Sequence, residues 1–252
     1  MKITVFGSSH GNPEKGRFQT SVLVEVMDRY YLVDAAEPVN AMLVQRGLRA
    51  AQVSAAFITH MHIDHTGGLP SLLEQAAKHR FLFPDIQMQL YLPDPAAQAA
   101  LSAWSSVNGG NWQKGTDGRD LTVDASYDDG VVKASFVPTR HLDYAVDGTP
   151  RSYAVILEAE GKKVLFSGDL APDFTDFPLE KAKECDLVFC ELTHYPLEKA
   201  LPVLAQIKPE KLVFYHLHTP HQSIEGGAKV MEKCAILPYP VILAKDGEEV
   251  EL

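Results

Sequence analysis

The stretch His60-Met61-His62-Ile63-Asp64-His65 places three imidazoles and one carboxylate within six residues. It follows an apolar run at residues 55–59 that has the pattern of a short buried strand. Residues two apart at a strand end project to the same face, so His60 and His62 are expected to bind one ion together. Asp64 and His65 follow a turn and are expected to point at a second position nearby. Imidazole and carboxylate are typical ligands of zinc, and manganese or iron would also fit.

The composition is that of an ordinary globular protein with an excess of acidic groups. The 252 residues are 46% hydrophobic and 22% charged, and the net charge is −10 at pH 7. This charge argues against broad binding of duplex nucleic acid. The 3 cysteines form no CxxC pair, which favours reduced thiols, and neither a signal-peptide pattern nor an apolar run of membrane-spanning length is found. We therefore expect a cytoplasmic protein without a membrane partner.

Strand and helix patterns alternate along the chain after an all-β start. Strands are predicted at residues 3–6, 21–26, 30–33, 55–59, 87–92, 131–137, 152–158, 164–167, 187–190 and 212–215, and helices at 39–46, 69–79, 95–104 and 197–207. Residues 107–119, which are rich in asparagine and glycine, are predicted to be a loop. Two β-rich halves with helices outside predict an α/β protein, a four-layer αβ/βα sandwich that forms a single domain over residues 1–252.

Three further residues lie where a predicted strand ends, which is where a scaffold can hold a site rigidly. They are His141, Asp169 and His216. Each alone is more typical of a cap or a surface position. With the first motif they make a candidate set of seven metal ligands, enough for two divalent ions that keep open positions for water and substrate: His60, His62, Asp64, His65, His141, Asp169 and His216. His218 is an alternative to His216, which we favour because it directly ends the apolar run.

The pattern HxHxDH, a later His, an Asp after Ser-Gly and a final His resembles the metallo-β-lactamase superfamily over essentially the whole chain. The resemblance implies that His60, His62 and His141 hold one metal ion. It implies that Asp64, His65 and His216 hold the other, and that Asp169 bridges the two. Both ions are expected to be Zn²⁺, with Mn²⁺ or iron as the alternatives.

Within the superfamily, the chain most resembles ribonuclease Z and its phosphodiesterase relatives. The similarity lies in Leu32-Val33-Asp34-Ala35-Ala36-Glu37 and in Gly67-Gly68-Leu69-Pro70 beside the metal motif. It implies a catalytic role for His194 in assisting the leaving group, with Glu191 orienting its imidazole. A solvent-facing loop histidine is the competing interpretation. Asp64 is expected to orient the nucleophile as well as bind metal.

Two departures argue against maturation of tRNA. The stretch from His141 to Asp169 has room for a hairpin and not for a long RNA-binding arm, and the final His precedes Leu217-His218-Thr219-Pro220 rather than the sequence common in the tRNA enzymes. We therefore predict a phosphodiesterase that acts on a small or short phosphodiester through a hydroxide bridging two metals. An exposed sheet edge could pair with that of a second copy, which would give a homodimer. The alternatives are an RNA endonuclease of the ribonuclease Z type, and a thioester, lactone or carboxylic ester hydrolase on the same site. A non-catalytic metal-binding protein is the least favoured.

Overall fold

Two β-sheets packed face to face form the centre of the fold. The computed structural model describes residues 1–12, 14–145 and 147–252. The strands are β1 (Lys2–Gly7), β2 (Ser21–Val26), β3 (Arg29–Val33), β4 (Val53–Phe57), β5 (Met88–Leu92), β6 (Thr116–Asp120), β7 (Ser126–Asp128), β8 (Lys133–Pro138), β9 (Tyr153–Ala159), β10 (Lys162–Phe166), β11 (Leu187–Leu192), β12 (Lys211–Leu217), β13 (Val241–Leu243) and β14 (Glu249–Glu251). The order is β14-β1-β2-β3-β4-β5-β6 in the first sheet and β13-β12-β11-β10-β9-β8-β7 in the second.

Helices cover the outer face of each sheet. They are α1 (Val39–Gln45), α2 (Ile63–Thr66), α3 (Leu69–His79), α4 (Ala96–Val107), α5 (Leu179–Ala182), α6 (Leu197–Leu204), α7 (Thr219–Gln222) and α8 (Ile224–Cys234), with short 3-10 turns at Ala50–Gln52, Arg80–Leu82 and Trp112–Lys114. Helix α3 has the predicted bounds. Within the residues described, no helix is both long and apolar enough to cross a bilayer.

Strands buried on both faces explain the near-continuous apolar runs of the sequence. In β2, Val22 and Val24 pack into the core between the two sheets, while Leu23 packs against the helices that cover the first sheet. A third core lies between the second sheet and its helices, with Leu165 and Val188 among its members. Helix, sheet, sheet and helix therefore form four layers, and the predicted αβ/βα sandwich is confirmed. The assignment of residues 1–252 to one domain stays a prediction.

The prediction of a loop over residues 107–119 is wrong at its C-terminal end, where the chain forms strand β6. Strand β6 pairs in parallel with β5, with Met88 opposite Thr116 and Leu90 opposite Gly118. The polar, glycine-containing sequence of β6 has low strand propensity, but main-chain pairing to β5 outweighs it at this edge of the sheet. Gly118 is needed there because a Cβ would lie 2.8 Å from the ring of Trp112.

The predicted site residues all lie at or beyond the carboxyl ends of strands. His60, Asp64 and His65 follow β4, and His141, Asp169 and His194 follow β8, β10 and β11; His62 belongs to the first of these segments, and His216 lies near the end of β12. These strand ends belong to both sheets, so the site forms at the seam between them. An isolated bridge between His60 and Ser152 joins the two sheets directly beside it.

At the opposite end of the sandwich, one carboxylate ties the sheets together. Asp129, in the turn between β7 and β8, accepts hydrogen bonds from Arg29 (2.9 Å), the Tyr31 hydroxyl (2.8 Å) and the Tyr127 hydroxyl (2.9 Å). It also accepts one from the backbone N–H of Val132 at 2.9 Å. Burial would raise the pKa of Asp129, but the Val132 and Tyr31 hydrogen bonds outweigh burial and lower the pKa to about 2.

Replacing Asp129 with asparagine tests this tie. Asp129→Asn keeps the size of the side chain but turns an NH₂ group toward hydroxyl and guanidinium donors, so we expect a loss of about 1–3 kcal/mol in the free energy of unfolding. Because the folded pKa lies below the ordinary value, the carboxylate stabilises the fold above about pH 4, and this contribution is lost as the pH falls toward 2. Urea denaturation from pH 7 to pH 2 should show the two proteins converging. Asp124→Asn, at an exposed carboxylate of the same segment, is the control, and an equal loss in it would contradict the account.

Candidate metal centre

The structure brings the ligand atoms of all seven predicted residues together in two adjoining groups. His60, His62, His141 and Asp169 form one group, and Asp64, His65 and His216 form the other, with ligand atoms within 4.8 Å of one another in each group. A third group at the same limit contains Asp169, His194 and His216. His218 belongs to none of these groups. Among the described residues, it is therefore His216 that joins the site, as the sequence favoured.

The first group has the spacing of a tetrahedral nitrogen site. His62 Nδ1 lies 3.0 Å from His60 Nε2 and 3.2 Å from His141 Nε2. Ligands of a tetrahedral zinc ion, with bonds of about 2.0–2.1 Å, lie roughly 3.3 Å apart. A carboxylate oxygen of Asp169 is 3.5 Å from His60 Nε2 and 3.6 Å from His141 Nε2. These four side chains could therefore surround one divalent ion.

The second group is more deeply buried and is built partly by a helix. His62 is the N-cap of α2, and this turn carries Asp64 and His65 away from the strand direction of His60. Asp64 Oδ2 lies 3.7 Å from His65 Nε2 and 3.8 Å from His216 Nε2. The turn assumed from the sequence is therefore present as the first turn of α2.

Asp169 lies between the two groups. Its Oδ2 is 3.4 Å from His216 Nε2, and its Oδ1 is 3.4 Å from His65 Nε2. Oδ1 of Asp169 and Nε2 of His65 are buried, and neither has a hydrogen-bond partner among the described residues. Buried polar atoms are nearly always paired, so two facing orphans in a set of nitrogen and oxygen donors fit a bound cation. The side chains present thus suit the metal that the fold implies.

The surroundings of Asp169 favour an ionised carboxylate beside two neutral imidazoles, those of His60 and His216. Burial, with the neighbouring His65, lowers the pKa of His60 well below its ordinary value, and burial likewise lowers the pKa of His216. Burial would raise the pKa of Asp169, but His216, His65 and His60 outweigh it and hold that pKa well below the usual range. Ionised carboxylate and neutral imidazole are the forms that bind metal.

Asp34 is a site residue whose role sequence reasoning missed. It follows β3, is fully buried, and accepts hydrogen bonds from the Thr59 N–H at 2.8 Å and from His65 Nδ1 at 2.7 Å. A hydrogen bond at Nδ1 leaves Nε2 of His65 free to bind metal, as in the carboxylate–histidine–metal arrangement. Burial lowers the pKa of His65, yet Asp169 and Asp34 outweigh it and raise that pKa well above normal. The sequence signal that could have indicated this role is the position of Asp34, an acidic residue directly after an apolar strand.

His194 lies at the open edge of the centre. Its imidazole is 28% exposed, and its Nδ1 lies 3.0 Å from Glu191 Oε1 and 3.7 Å from Asp169 Oδ2. Burial lowers the pKa of His194, but the hydrogen bond and charge of Glu191 outweigh it and raise the pKa to about 9. The imidazole therefore holds a proton at neutral pH. Glu191 is positioned behind it, as the sequence implied.

Comparison with known proteins identifies the family. A family model described as "Anti-Pycsar protein Apyc1" matches residues 1–233. The chain belongs to the Apyc1 family.

Two solved structures show that this family member has the metallo-β-lactamase fold. The metallo-β-lactamase fold protein YhfI from Bacillus subtilis matches with a TM-score of 0.79 at 20% identity, covering 100% of this chain and 99% of that one. Human tRNase Z, short form (ELAC1), matches with a TM-score of 0.72 at 20% identity, covering 100% and 99%.

Curated ribonuclease Z proteins match part of this Apyc1-family chain. It is 36% identical over 97 residues to the ribonuclease Z of Synechococcus sp. (strain CC9311), which is 38% of this chain and 30% of that protein. The chain thus spans less than a third of the length of the curated relatives it matches. The predicted resemblance to the superfamily and to ribonuclease Z is confirmed.

Removing the charge behind His65 should weaken the metal centre of this Apyc1-family protein. Asp34 has φ 60°, a left-handed conformation that asparagine tolerates, so Asp34→Asn should fold. The amide of asparagine cannot accept hydrogen bonds from both Thr59 and His65 as well as the carboxylate does. The form of His65 with its proton on Nδ1 and with Nε2 free for metal is then no longer stabilised. We expect a roughly 10- to 100-fold loss of metal affinity, measured as metal retained against a chelator. Retention equal to that of the wild type would contradict this role.

Proposed function

We propose that this protein is a metal-dependent hydrolase that acts on a small or short phosphodiester. In this proposal it holds two divalent ions, Zn²⁺ with Mn²⁺ or iron as alternatives. His60, His62 and His141 would bind one ion, Asp64, His65 and His216 the other, and Asp169 would bridge them. The pairing of two ligand groups around one shared carboxylate supports this number.

The position of His194, held by Glu191 at the open edge of the centre and 3.7 Å from Asp169, is the observation that carries the choice of reaction. An alkoxide that leaves phosphorus is a strong base, so a positioned acid at the edge of the metal centre accelerates its departure. The His194 Nδ1 atom is engaged by Glu191 at 3.0 Å, which leaves Nε2 to carry the transferable proton. Such an arrangement suits a phosphodiester with a poor leaving group.

The reaction balances with the residues of this chain. Divalent ions supply hydroxide from water at neutral pH and neutralise charge on a phosphoryl group. Asp64 would orient the attacking water, whose oxygen forms the new bond to phosphorus and whose released proton would pass to solvent, from which His194 regains its own proton after turnover. The bond from phosphorus to the leaving oxygen breaks, and His194 gives that oxygen its proton. The product is a phosphomonoester; the leaving oxygen departs as an alcohol or, in a cyclic diester, becomes a hydroxyl of the same molecule.

The substrate is proposed to be small because nothing in the charge or loops favours a long nucleic acid. The net charge is −10, and the segment from His141 to Asp169 contains the β9–β10 hairpin and a short connection. Duplex nucleic acid and membranes are therefore not proposed as partners. A homodimer and a cytoplasmic location remain part of the proposal.

A second candidate is an RNA endonuclease activity of the ribonuclease Z type. It is favoured by the 97-residue match to proteins that carry this name. The description of the matching family names an anti-Pycsar protein. We propose that this chain has the same role and performs it with the hydrolytic site described above.

A substrate panel on the metal-loaded protein tests the proposed function. We expect turnover of bis-p-nitrophenyl phosphate and of a 3′,5′-cyclic nucleotide, with little turnover of a thioester, a lactone or a precursor tRNA. Cleavage of the precursor tRNA alone would favour the second candidate. Turnover of the thioester or lactone without any phosphodiester would contradict the proposal.

The same panel tests His194. In His194→Ala we expect a loss of about 10²–10⁴-fold on the cyclic nucleotide, whose leaving group is an alkoxide, and a much smaller loss on the nitrophenyl ester. Metal content should stay at the wild-type level. His79→Ala, at the end of α3 and away from the centre, is the matched control. Equal losses on both substrates would show that His194 does not act as the acid.

A further inference from the structure

His216 has a left-handed backbone inside a strand, with φ 48°. A residue with a Cβ rarely adopts this conformation. The pairing of β12 with β11 shifts at this point, because Tyr215 lies opposite Glu191 whereas Leu217 lies opposite Leu192. His216 is therefore the extra residue of a β-bulge, a device that turns a side chain in a new direction.

Neighbouring main-chain and side-chain groups hold the bulge in place. The Thr193 hydroxyl donates a hydrogen bond to the carbonyl oxygen of His216. On either side of the bulge, the Leu217 N–H donates to the Ser8 carbonyl at 2.8 Å, and the His218 N–H donates to the Leu192 carbonyl at 3.1 Å. These bonds fix the backbone, but none of them fixes the rotation of the imidazole.

The side chain of Thr20 supplies that second restraint. Its Oγ1 lies 2.6 Å from His216 Nδ1 and 3.1 Å from the carbonyl oxygen of Ser9. A carbonyl can only accept, so the single hydroxyl proton goes to Ser9 and Oγ1 accepts from Nδ1–H of His216. The Nε2 atom is then left without a proton and faces Asp169 at 3.4 Å.

Thr20 also touches the other half of the same ligand group. Its backbone N–H donates to the carbonyl of Asp64 at 3.1 Å. Both Thr20 and His216 are buried, so water cannot easily replace the hydroxyl if it is removed. Thr20 thus contacts both His216 and Asp64, two members of the Asp64–His65–His216 group.

We propose that Thr20 is a positioning residue that sets the tautomer and orientation of His216 for metal binding. The inference rests on the metal centre of the proposed function and not on the identity of its substrate. Thr20 would act only through His216 and Asp64, so its loss should weaken the ion of the Asp64–His65–His216 group and spare the other.

The test measures Zn²⁺ retained per chain against increasing EDTA in four proteins. Thr20→Val removes the hydroxyl at nearly constant volume, and Thr20→Ser restores it. Thr116→Val is the matched control, because Thr116 is equally buried on β6 and its hydroxyl has no hydrogen-bond partner among the described residues. The ¹⁵N imidazole resonances of the zinc-loaded proteins report the Nδ1–H tautomer of His216.

We expect Thr20→Val to fall from two ions to one at roughly 10- to 100-fold lower EDTA than wild type, with the Nδ1–H signal of His216 lost. Thr20→Ser and Thr116→Val should match the wild type. The proposal is overturned if Thr20→Val resists EDTA as wild type does, if serine does not rescue, or if both ions are lost together with a lowered melting temperature of the apoprotein. A wild type that holds zinc but cleaves no phosphodiester would instead overturn the proposed function alone.

Discussion

The burial of one carboxylate, Asp169, between two groups of imidazoles is the constraint on which the rest of the site depends. A charge removed from water is costly unless it is paired. His60, His65 and His216 face Asp169 at 3.4–3.5 Å, and they hold its pKa below the usual range. The protein thus maintains a negative point surrounded by nitrogen donors, which is the environment that a divalent cation stabilises further.

This arrangement requires both sheets. His60, His62, Asp64 and His65 follow the first sheet, whereas His141, Asp169, His194 and His216 belong to the second. Each of the two groups that contain the seven predicted ligands draws residues from both sheets, so this centre forms only when the sheets pack. Metal binding and the docking of the two sheets are therefore expected to stabilise each other.

That the seven candidate ligands lie together could be predicted from the sequence, because four of them follow recognisable apolar runs and the other three lie within five residues of His60. The residues that support them could not. Asp34 and Thr20 contact their histidines across separations of 31 and 196 residues, and no local pattern shows which histidine either one contacts. Their meaning comes from packing that only the folded chain provides.

The same reason explains the elements that the sequence concealed. Helix α8 contains Gly226 and Gly227, which lower helix propensity, yet a Cβ at Gly226 would lie 1.7 Å from the carbonyl oxygen of Pro220. Close packing against α7 therefore selects glycine at the expense of local preference. Strand β6 is a comparable case, since it owes its conformation to pairing with β5.

Anomalous X-ray scattering at the zinc edge, from crystals of the zinc-loaded protein, tests the central claim most directly. The account predicts two peaks about 3.5–4 Å apart, one on each side of the Asp169 carboxylate and each at bonding distance from its own group of ligands. A single peak at the centre, or zinc bound elsewhere with none beside Asp169, would contradict it.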